Sequence, residues 1–386
     1  MSLQFITGNS GNGKTKYLFN RIVKEAKANP RDNYLVIVPE QFTMQTQRQL
    51  VDLSENKAIM NIDVLSFKRL AYRVFDELGI TNLTVLEETG KNLVLRKLAA
   101  QEADKLGVIG RNLNRIGYIS EVKSLLSELV QYNISPEELG RYIASGRLSD
   151  TLSDKLKDVL VLYEAFEKFM QDKYITAEEI LNVLSNVAEE SAILRNSVIA
   201  FDEFTGFTPI QNQLIKKLFV ISKKIYVTLT IDCREDIFKS RGMQELFDMP
   251  KRTVKSLTEM AAFYGIEVEE PIILDKNYRL AENEELSFME QQLFRKRRCS
   301  FKKVPKHIHI DCLRDPKQEL TKIARRINEL VRNENLRYRD IAIVTGDVNI
   351  YAGYVREIFD KYNIPYFIDA TQEILFHPFI EFIRSI

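Results

Sequence analysis

Residues 8–15 read Gly-Asn-Ser-Gly-Asn-Gly-Lys-Thr, which matches the G-x-x-x-x-G-K-[ST] pattern of a phosphate-binding loop. An apolar run over residues 3–7 precedes the loop and a helical pattern over residues 14–28 follows it, so the sequence predicts a strand, the loop and a helix in succession. In such a unit, glycines let backbone N–H groups turn toward an anion, and the helix N-terminus adds partial positive charge. A Gly-rich turn that binds no ligand is the alternative.

The loop carries side chains that suit a nucleoside triphosphate. Lys14 is placed to reach the β- and γ-phosphates, and the Thr15 hydroxyl is placed to bind Mg²⁺. The predicted triphosphate-binding residues are Gly8, Asn9, Ser10, Gly11, Asn12, Gly13, Lys14 and Thr15.

A second pattern supplies two carboxylates. Residues 198–203 are four apolar residues followed by Asp202 and Glu203, the form of a Walker B strand. An acid at a strand end positions Mg²⁺, and a neighbouring acid orients or deprotonates the attacking water. We therefore predict Asp202 and Glu203 as catalytic residues, with Thr15 and Asp202 as ligands of Mg²⁺. Taken alone, the same pattern also fits a helix N-cap.

Composition indicates an ordinary soluble protein of more than one domain. The 386 residues are 45% hydrophobic and 28% charged. The net charge is +1, so the electrostatic field of the whole chain gives no indication of nucleic-acid binding. The three cysteines lie far apart and show no C-x-x-C spacing, so the sequence predicts neither a disulfide framework nor a zinc site. This pattern indicates a reducing compartment. No apolar stretch approaches the ~20 residues that a membrane span needs. We expect a cytoplasmic protein without membrane contact.

Alternating strand and helix patterns predict an α/β fold with a parallel sheet. The first three strands and their helices fall within residues 1–83, and the pattern resumes at the strand over residues 197–201. The block between them is almost entirely helical, so we predict an inserted helical subdomain. The last region predicts a second α/β unit with strands at 308–311, 341–344 and 366–368. The predicted divisions are 1–83, 84–195, 196–280 and 281–386.

Two further segments have candidate roles. In residues 277–279, Tyr278 offers an aromatic face for a base and Arg279 a fixed cation for the γ-phosphate, although both residue types are common in exposed loops. A basic run over residues 295–298, continued by Lys302, Lys303 and Lys306, could contact a phosphate backbone. A solvated linker is the alternative for this run.

In this order the motifs resemble those of superfamily 1 helicases of the UvrD/RecB type, and most closely the AddB family of helicase-nuclease subunits. The resemblance covers essentially the whole chain. The matching segments, in chain order, are residues 8–15, 38–43, 62–70, 202–211, 277–279, 341–368 and 375–378. One segment departs from the pattern: residues 230–236 read Thr-Ile-Asp-Cys-Arg-Glu-Asp, without the glycine and glutamine of motif III.

The resemblance implies a P-loop, RecA-like sheet domain with an inserted helical subdomain, followed by the start of a second RecA-like domain. It implies that Tyr278 stacks on adenine and Arg279 touches the γ-phosphate of ATP. It further implies an AddA-type partner subunit, single- and double-stranded DNA as ligands, and a role in recombinational repair of double-strand breaks. An iron–sulfur cluster is implied only for a full-length protein, because none of its residues can be placed here.

The sequence leaves three functions open. The first is a scaffold and scanner of hotspot sequences that binds ATP, Mg²⁺ and single-stranded DNA. The second is an active DNA-dependent ATPase motor, and the third is an architectural subunit with a vestigial nucleotide site. The uncapped amphipathic pattern over residues 379–386 leads us to expect an N-terminal fragment of a longer protein.

Overall fold

The computed structural model describes residues 1–81, 84–110, 117–146, 148–171, 174–295, 299–370 and 377–386. Residues 296–298 of the basic run and residues 375 and 376 of the last matching segment lie outside this description. The chain divides into two compact units, Met1–Arg297 and Arg298–Ile386. No helix in the described ranges is long and apolar enough to cross a membrane.

The first unit is built on a seven-stranded sheet. The described strands of the chain are β1 (Ser2–Gly8), β2 (Tyr34–Ile37), β3 (Ile62–Leu65), β4 (Val85–Leu86), β5 (Ile175–Thr176), β6 (Val198–Phe201), β7 (Lys224–Thr230), β8 (Glu267–Val268) and β9 (Ile272–Leu274). The sheet order is β3-β2-β6-β7-β1-β8, with β9 also paired to β1. All of these pairs are parallel, which confirms the predicted parallel sheet.

Helices form at most of the positions where the sequence predicted them. The described α-helices are α1 (Lys14–Ala28), α2 (Thr43–Leu53), α3 (Phe67–Leu78), α4 (Glu88–Gln101), α5 (Tyr118–Gln131), α6 (Pro136–Ala144), α7 (Asp150–Met170), α8 (Ile180–Val187), α9 (Pro209–Ile221), α10 (Asp248–Phe263), α11 (Glu284–Gln292), α12 (Pro316–Asn333), α13 (Val348–Lys361) and α14 (Pro378–Ser385). Local capping explains several starts. The Ser66 hydroxyl accepts the Arg69 N–H at the start of α3, and Thr208 and Gln211 form a capping box at α9.

Helices cover both faces of the sheet, as a buried parallel sheet requires. On one face, α3, α8, α9 and α10 pack against the strands in a large apolar core. On the other face, α1 and α2 contribute Leu18, Phe19, Ile22 and Leu50 to a second core with the strands. The continuous apolar runs of the strands therefore reflect burial on both faces.

The inserted block contains its own core, formed by α4, α5, α6 and α7. A short parallel pair, β4 with β5, joins the segment before α4 to the segment after α7. The sequence predicted no strand here, and this expectation was wrong. Each strand has two residues, which is too short to produce an alternating pattern.

The second unit packs α12 against α13 through a small apolar core, which includes Leu320, Ile327 and Phe359. The strands predicted at 308–311, 341–344 and 366–368 do not form: these segments make no ladder in the described part of this unit. Ile310, Val344 and Phe367 are 94%, 93% and 88% exposed. An apolar β-prone pattern shows that a segment fits a buried sheet, but a strand also needs a backbone partner.

Candidate nucleotide site

The candidate site lies at the carboxyl ends of β1, β6 and β7, the edge of a parallel sheet where ligands bind in α/β folds. A cavity of about 710 Å³ opens there. It brings together residues predicted from three distant segments of the sequence. Its lining includes Ser10, Gly11, Gly13, Lys14, Thr15, Asp202, Glu203, Tyr278 and Arg279.

The loop between β1 and α1 needs glycine at two positions. Gly11 and Gly13 have φ values of 88° and 80°, in the left-handed region that costs other residues free energy. A Cβ on Gly11 would lie 2.8 Å from the Cβ of Arg279. The loop therefore keeps its path only because the glycines lack side chains, and α1 begins directly after Gly13.

Lys14 lies over the loop. Its Nζ donates to the carbonyl oxygens of Gly8 and Asn9, at 3.1 and 3.0 Å. Burial lowers the pKa of the Lys14 ammonium, and the carboxylates of Glu203 and Asp202 oppose that effect. These two hydrogen bonds hold the ammonium near the N-terminus of α1. The helix dipole favours an anion at the same place.

Asp202 and Glu203 follow β6 and meet Thr15 across the cavity. The Thr15 hydroxyl lies 3.3 Å from Asp202 Oδ1 and 3.4 Å from Glu203 Oε1. Thr228, on the neighbouring strand β7, donates to the same Asp202 oxygen. Glu203 has a φ of 64°, a conformation that costs a non-glycine residue about 1–3 kcal/mol and is concentrated at functional sites.

The second carboxylate oxygen of Asp202 fits a metal ligand. Asp202 is 1% exposed, and its Oδ2 atom is buried with no hydrogen-bond partner. Burial raises the pKa of Asp202, while hydrogen bonds from Thr228 and Thr15 oppose the shift. The unpartnered Oδ2 atom of Asp202 and the Thr15 hydroxyl beside its Oδ1 atom are hard oxygen ligands of the kind that Mg²⁺ prefers, so the residues present fit the predicted ion.

Residues 277–279 clamp the loop from the other side. The Tyr278 N–H donates to the Gly11 carbonyl at 3.0 Å, and the Asn277 side chain donates to the Ser10 carbonyl at 3.0 Å. Arg279 Nη1 lies 3.4 Å from the Ser10 hydroxyl. Tyr278 is 65% exposed and lines the cavity. The structure thus brings Tyr278 and Arg279 to the predicted site, and their contacts with a nucleotide remain a prediction.

Sequence reasoning missed a polar network beside the loop. Asn9 Oδ1 accepts the Cys233 N–H at 2.9 Å, and Asn9 Nδ2 donates to Glu290 at 2.8 Å. These contacts join residues separated by 224 and 281 positions. No local pattern reports pairs so far apart, so the sequence carried no signal for them.

The departure from motif III is also part of this network. Asp232, after β7, is 1% exposed and forms ion pairs with Arg234 at 2.6 Å and Arg295 at 2.8 Å. Burial alone would raise the pKa of Asp232, but hydrogen bonding and the charges of the two arginines outweigh it and lower the pKa to about 2. Arg295 also lies over the Phe247 ring. This member of the predicted basic run therefore makes internal contacts, and DNA contact by the rest stays a prediction.

The fold and the site define a class: a RecA-like α/β protein in which a loop with the phosphate-binding sequence pattern faces two carboxylates after a strand end. A family model described as "ADDB, N-terminal" matches residues 5–290. The chain is 38% identical over 390 residues to the B subunit of the ATP-dependent helicase/deoxyribonuclease of Lachnoclostridium phytofermentans. It is 33% identical to the proteins of the same name from Clostridium tetani and Listeria monocytogenes.

The chain belongs to the AddB family. These alignments cover 100% of the chain and 34%, 34% and 33% of the three relatives. The chain thus spans about a third of the length of the curated relatives it matches. The relatives' names assign them to a helicase-nuclease as one of its subunits, which supports the predicted family.

Proposed function

We propose that this chain is the helicase-like, nucleotide-binding region of an AddB-type subunit, in a helicase-nuclease that processes double-strand DNA breaks for recombinational repair. Its ligands are ATP with Mg²⁺ and single-stranded DNA, its partner is an AddA-type subunit, and it works in the cytoplasm. The observation that carries the proposal is the convergence of Lys14, Thr15, Asp202 and Glu203 in one cavity. Each then has a distinct role.

Lys14 supplies positive charge for the β- and γ-phosphates, and the backbone N–H groups of the loop donate to the phosphate oxygens. Thr15 and Asp202 hold Mg²⁺, which neutralises phosphate charge. Tyr278 offers its exposed ring to the adenine face, and Arg279 faces the phosphate loop. Glu203 is the candidate general base, because it lies beside the Thr15 hydroxyl at the strand end.

Binding is better supported than turnover. A motor needs a group at the end of β7 that senses the γ-phosphate and changes partners. Asp232 instead forms ion pairs with Arg234 and Arg295, and residues 230–236 contain no glutamine. We therefore assign the chain a role as scaffold and DNA scanner that holds ATP, with the main motor in the partner subunit.

Titration of a fluorescent ATP analogue tests the nucleotide site. Lys14→Ala removes the cation of the loop and is expected to abolish binding in the micromolar range. Lys24→Ala, on the exposed side of the same helix, is the matched control and is expected to bind like the wild type. Equal binding by the wild type and Lys14→Ala would refute the site.

An active ATPase is the second candidate, because Glu203 and Thr15 are arranged as hydrolysis would require. The discriminating assay is DNA-stimulated phosphate release by the wild type and Glu203→Gln. Release that disappears in Glu203→Gln would establish the motor. Background release in both proteins, with nucleotide still bound, supports the scaffold role.

A further inference from the structure

Helix α11 is the last helix in the described part of the first unit, and little of it is buried. It has nine residues, and none of them is buried. A helix this short is marginal in isolation and is normally stabilised by an apolar face that packs on a core. Its apolar side chains Leu286 and Phe288 are only half-buried, so the order of α11 also depends on polar contacts.

Three of these contacts lead to the sheet edge beside the nucleotide site. Glu290 accepts from the Asn9 amide at 2.8 Å, and the Gln291 carbonyl accepts from Arg234 at 3.1 Å. Just after the helix, Arg295 pairs with Asp232. Two of the contacts end on the segment after β7, and the third ends inside the phosphate loop itself.

Asn9 is placed between the nucleotide-binding lysine and α11. It is 5% exposed. Its backbone carbonyl accepts from Lys14 Nζ at 3.0 Å, while its side chain bridges Cys233 and Glu290. A ligand that fixes Lys14 and the loop therefore also fixes the residue that holds α11.

We propose that Asn9 and Glu290 are positioning residues that couple occupancy of the phosphate loop to the order of α11. This inference rests on the proposed function, because it assumes that the loop binds a nucleotide. The coupling acts on the segment that directly precedes the second unit, which begins at Arg298. In this chain, the occupancy of the loop is transmitted by the order of α11, whereas the motif III pattern would use a glutamine for that purpose.

Hydrogen–deuterium exchange of the α11 amides, with and without ATPγS and Mg²⁺, tests the coupling. In the wild type, saturating ATPγS is expected to slow exchange at least about fivefold, the lower end of ordinary coupling between sites. In Glu290→Ala the nucleotide still binds through Lys14, and the slowing is expected to fall below about twofold. Glu290→Gln keeps an acceptor oxygen for Asn9 and is expected to retain the slowing.

Glu282→Gln is the charge-matched control, because Glu282 is exposed and precedes the helix. It is expected to behave like the wild type. If Glu290→Ala melts α11 even without nucleotide, Asn9→Asp decides: it keeps an acceptor for the Cys233 N–H but places like charges against Glu290. In Asn9→Asp samples whose bound ATPγS is measured directly, α11 is then expected to show no slowing.

Two results would overturn the coupling. One is equal slowing in the wild type and in the Glu290→Ala and Asn9→Asp variants. The other is bound ATPγS in the wild type without slower exchange in α11. Failure of the wild type to bind ATPγS, measured in the same samples, would instead contradict the proposed function.

Discussion

Replacing Asp232 with asparagine tests whether the segment after β7 is a fixed ion-pair network. Asp232→Asn preserves size and one acceptor oxygen but removes the charge that Arg234 and Arg295 face. The two arginines then lose their ionic partner, and the free energy of unfolding is expected to fall.

The size of the loss follows from the pKa of Asp232, which is lowered from 3.8 to about 2. One pKa unit corresponds to about 1.4 kcal/mol, so the ionised carboxylate stabilises the fold by about 2 kcal/mol before screening. The Arg234 side chain is 51% exposed, and solvent reduces the expected loss to about 1–2 kcal/mol. Because the folded-state pKa is lowered, this stability is present above the unfolded pKa and is lost as pH falls toward 2.

Urea unfolding followed by circular dichroism measures the effect. At about pH 7 the variant is expected to lose about 1–2 kcal/mol, and at about pH 3 the difference should shrink to roughly half. Asp76→Asn, an exposed carboxylate on α3, is the control and should change stability by less than about 0.5 kcal/mol. Wild-type stability in Asp232→Asn, or a difference that does not vary with pH, would refute the ion-pair account.

Three further substitutions separate the loop, the metal site and the helical block. Gly11→Ala is expected to lose about 1–3 kcal/mol and at least tenfold in nucleotide affinity, whereas Gly79→Ala, also at positive φ but in open space, should keep full affinity. Asp202→Asn should abolish the gain in ATP affinity that Mg²⁺ gives the wild type in a titration against EDTA. Lys91→Met leaves the carboxylate of Glu178 without its ionic partner and should destabilise the helical block by about 3–5 kcal/mol in thermal unfolding. The variant should keep its nucleotide affinity, because Lys91 lies outside the nucleotide site.

Most of the correct predictions of fold came from short patterns of contiguous residues. The phosphate loop and the strand β6 with the following Asp202 and Glu203 are each contained in eight residues or fewer, and the fold places the loop and the two acids in one cavity. Alternation predicted parallel strands, but it could not give their order, in which β6 and β7 lie between β2 and β1. Strand order depends on crossover paths that no local pattern records.

The rest depends on contacts between distant residues. The bond from Asn9 to Glu290 spans 281 positions, and neither residue type indicates the other. The strand patterns in the second unit were misleading for a related reason. Residues such as Val344 and Phe367 have strand propensity, but pairing depends on a partner that propensity does not specify.

We propose above all that the loop and the two carboxylates after β6 bind ATP with Mg²⁺. Isothermal titration of ATP, with Mg²⁺ or with EDTA, measures this directly on the wild type and Lys14→Ala. We predict one ATP per wild-type chain, tighter with Mg²⁺, and no measurable binding by Lys14→Ala. Identical isotherms for the two proteins, or wild-type binding that ignores Mg²⁺, would contradict the account.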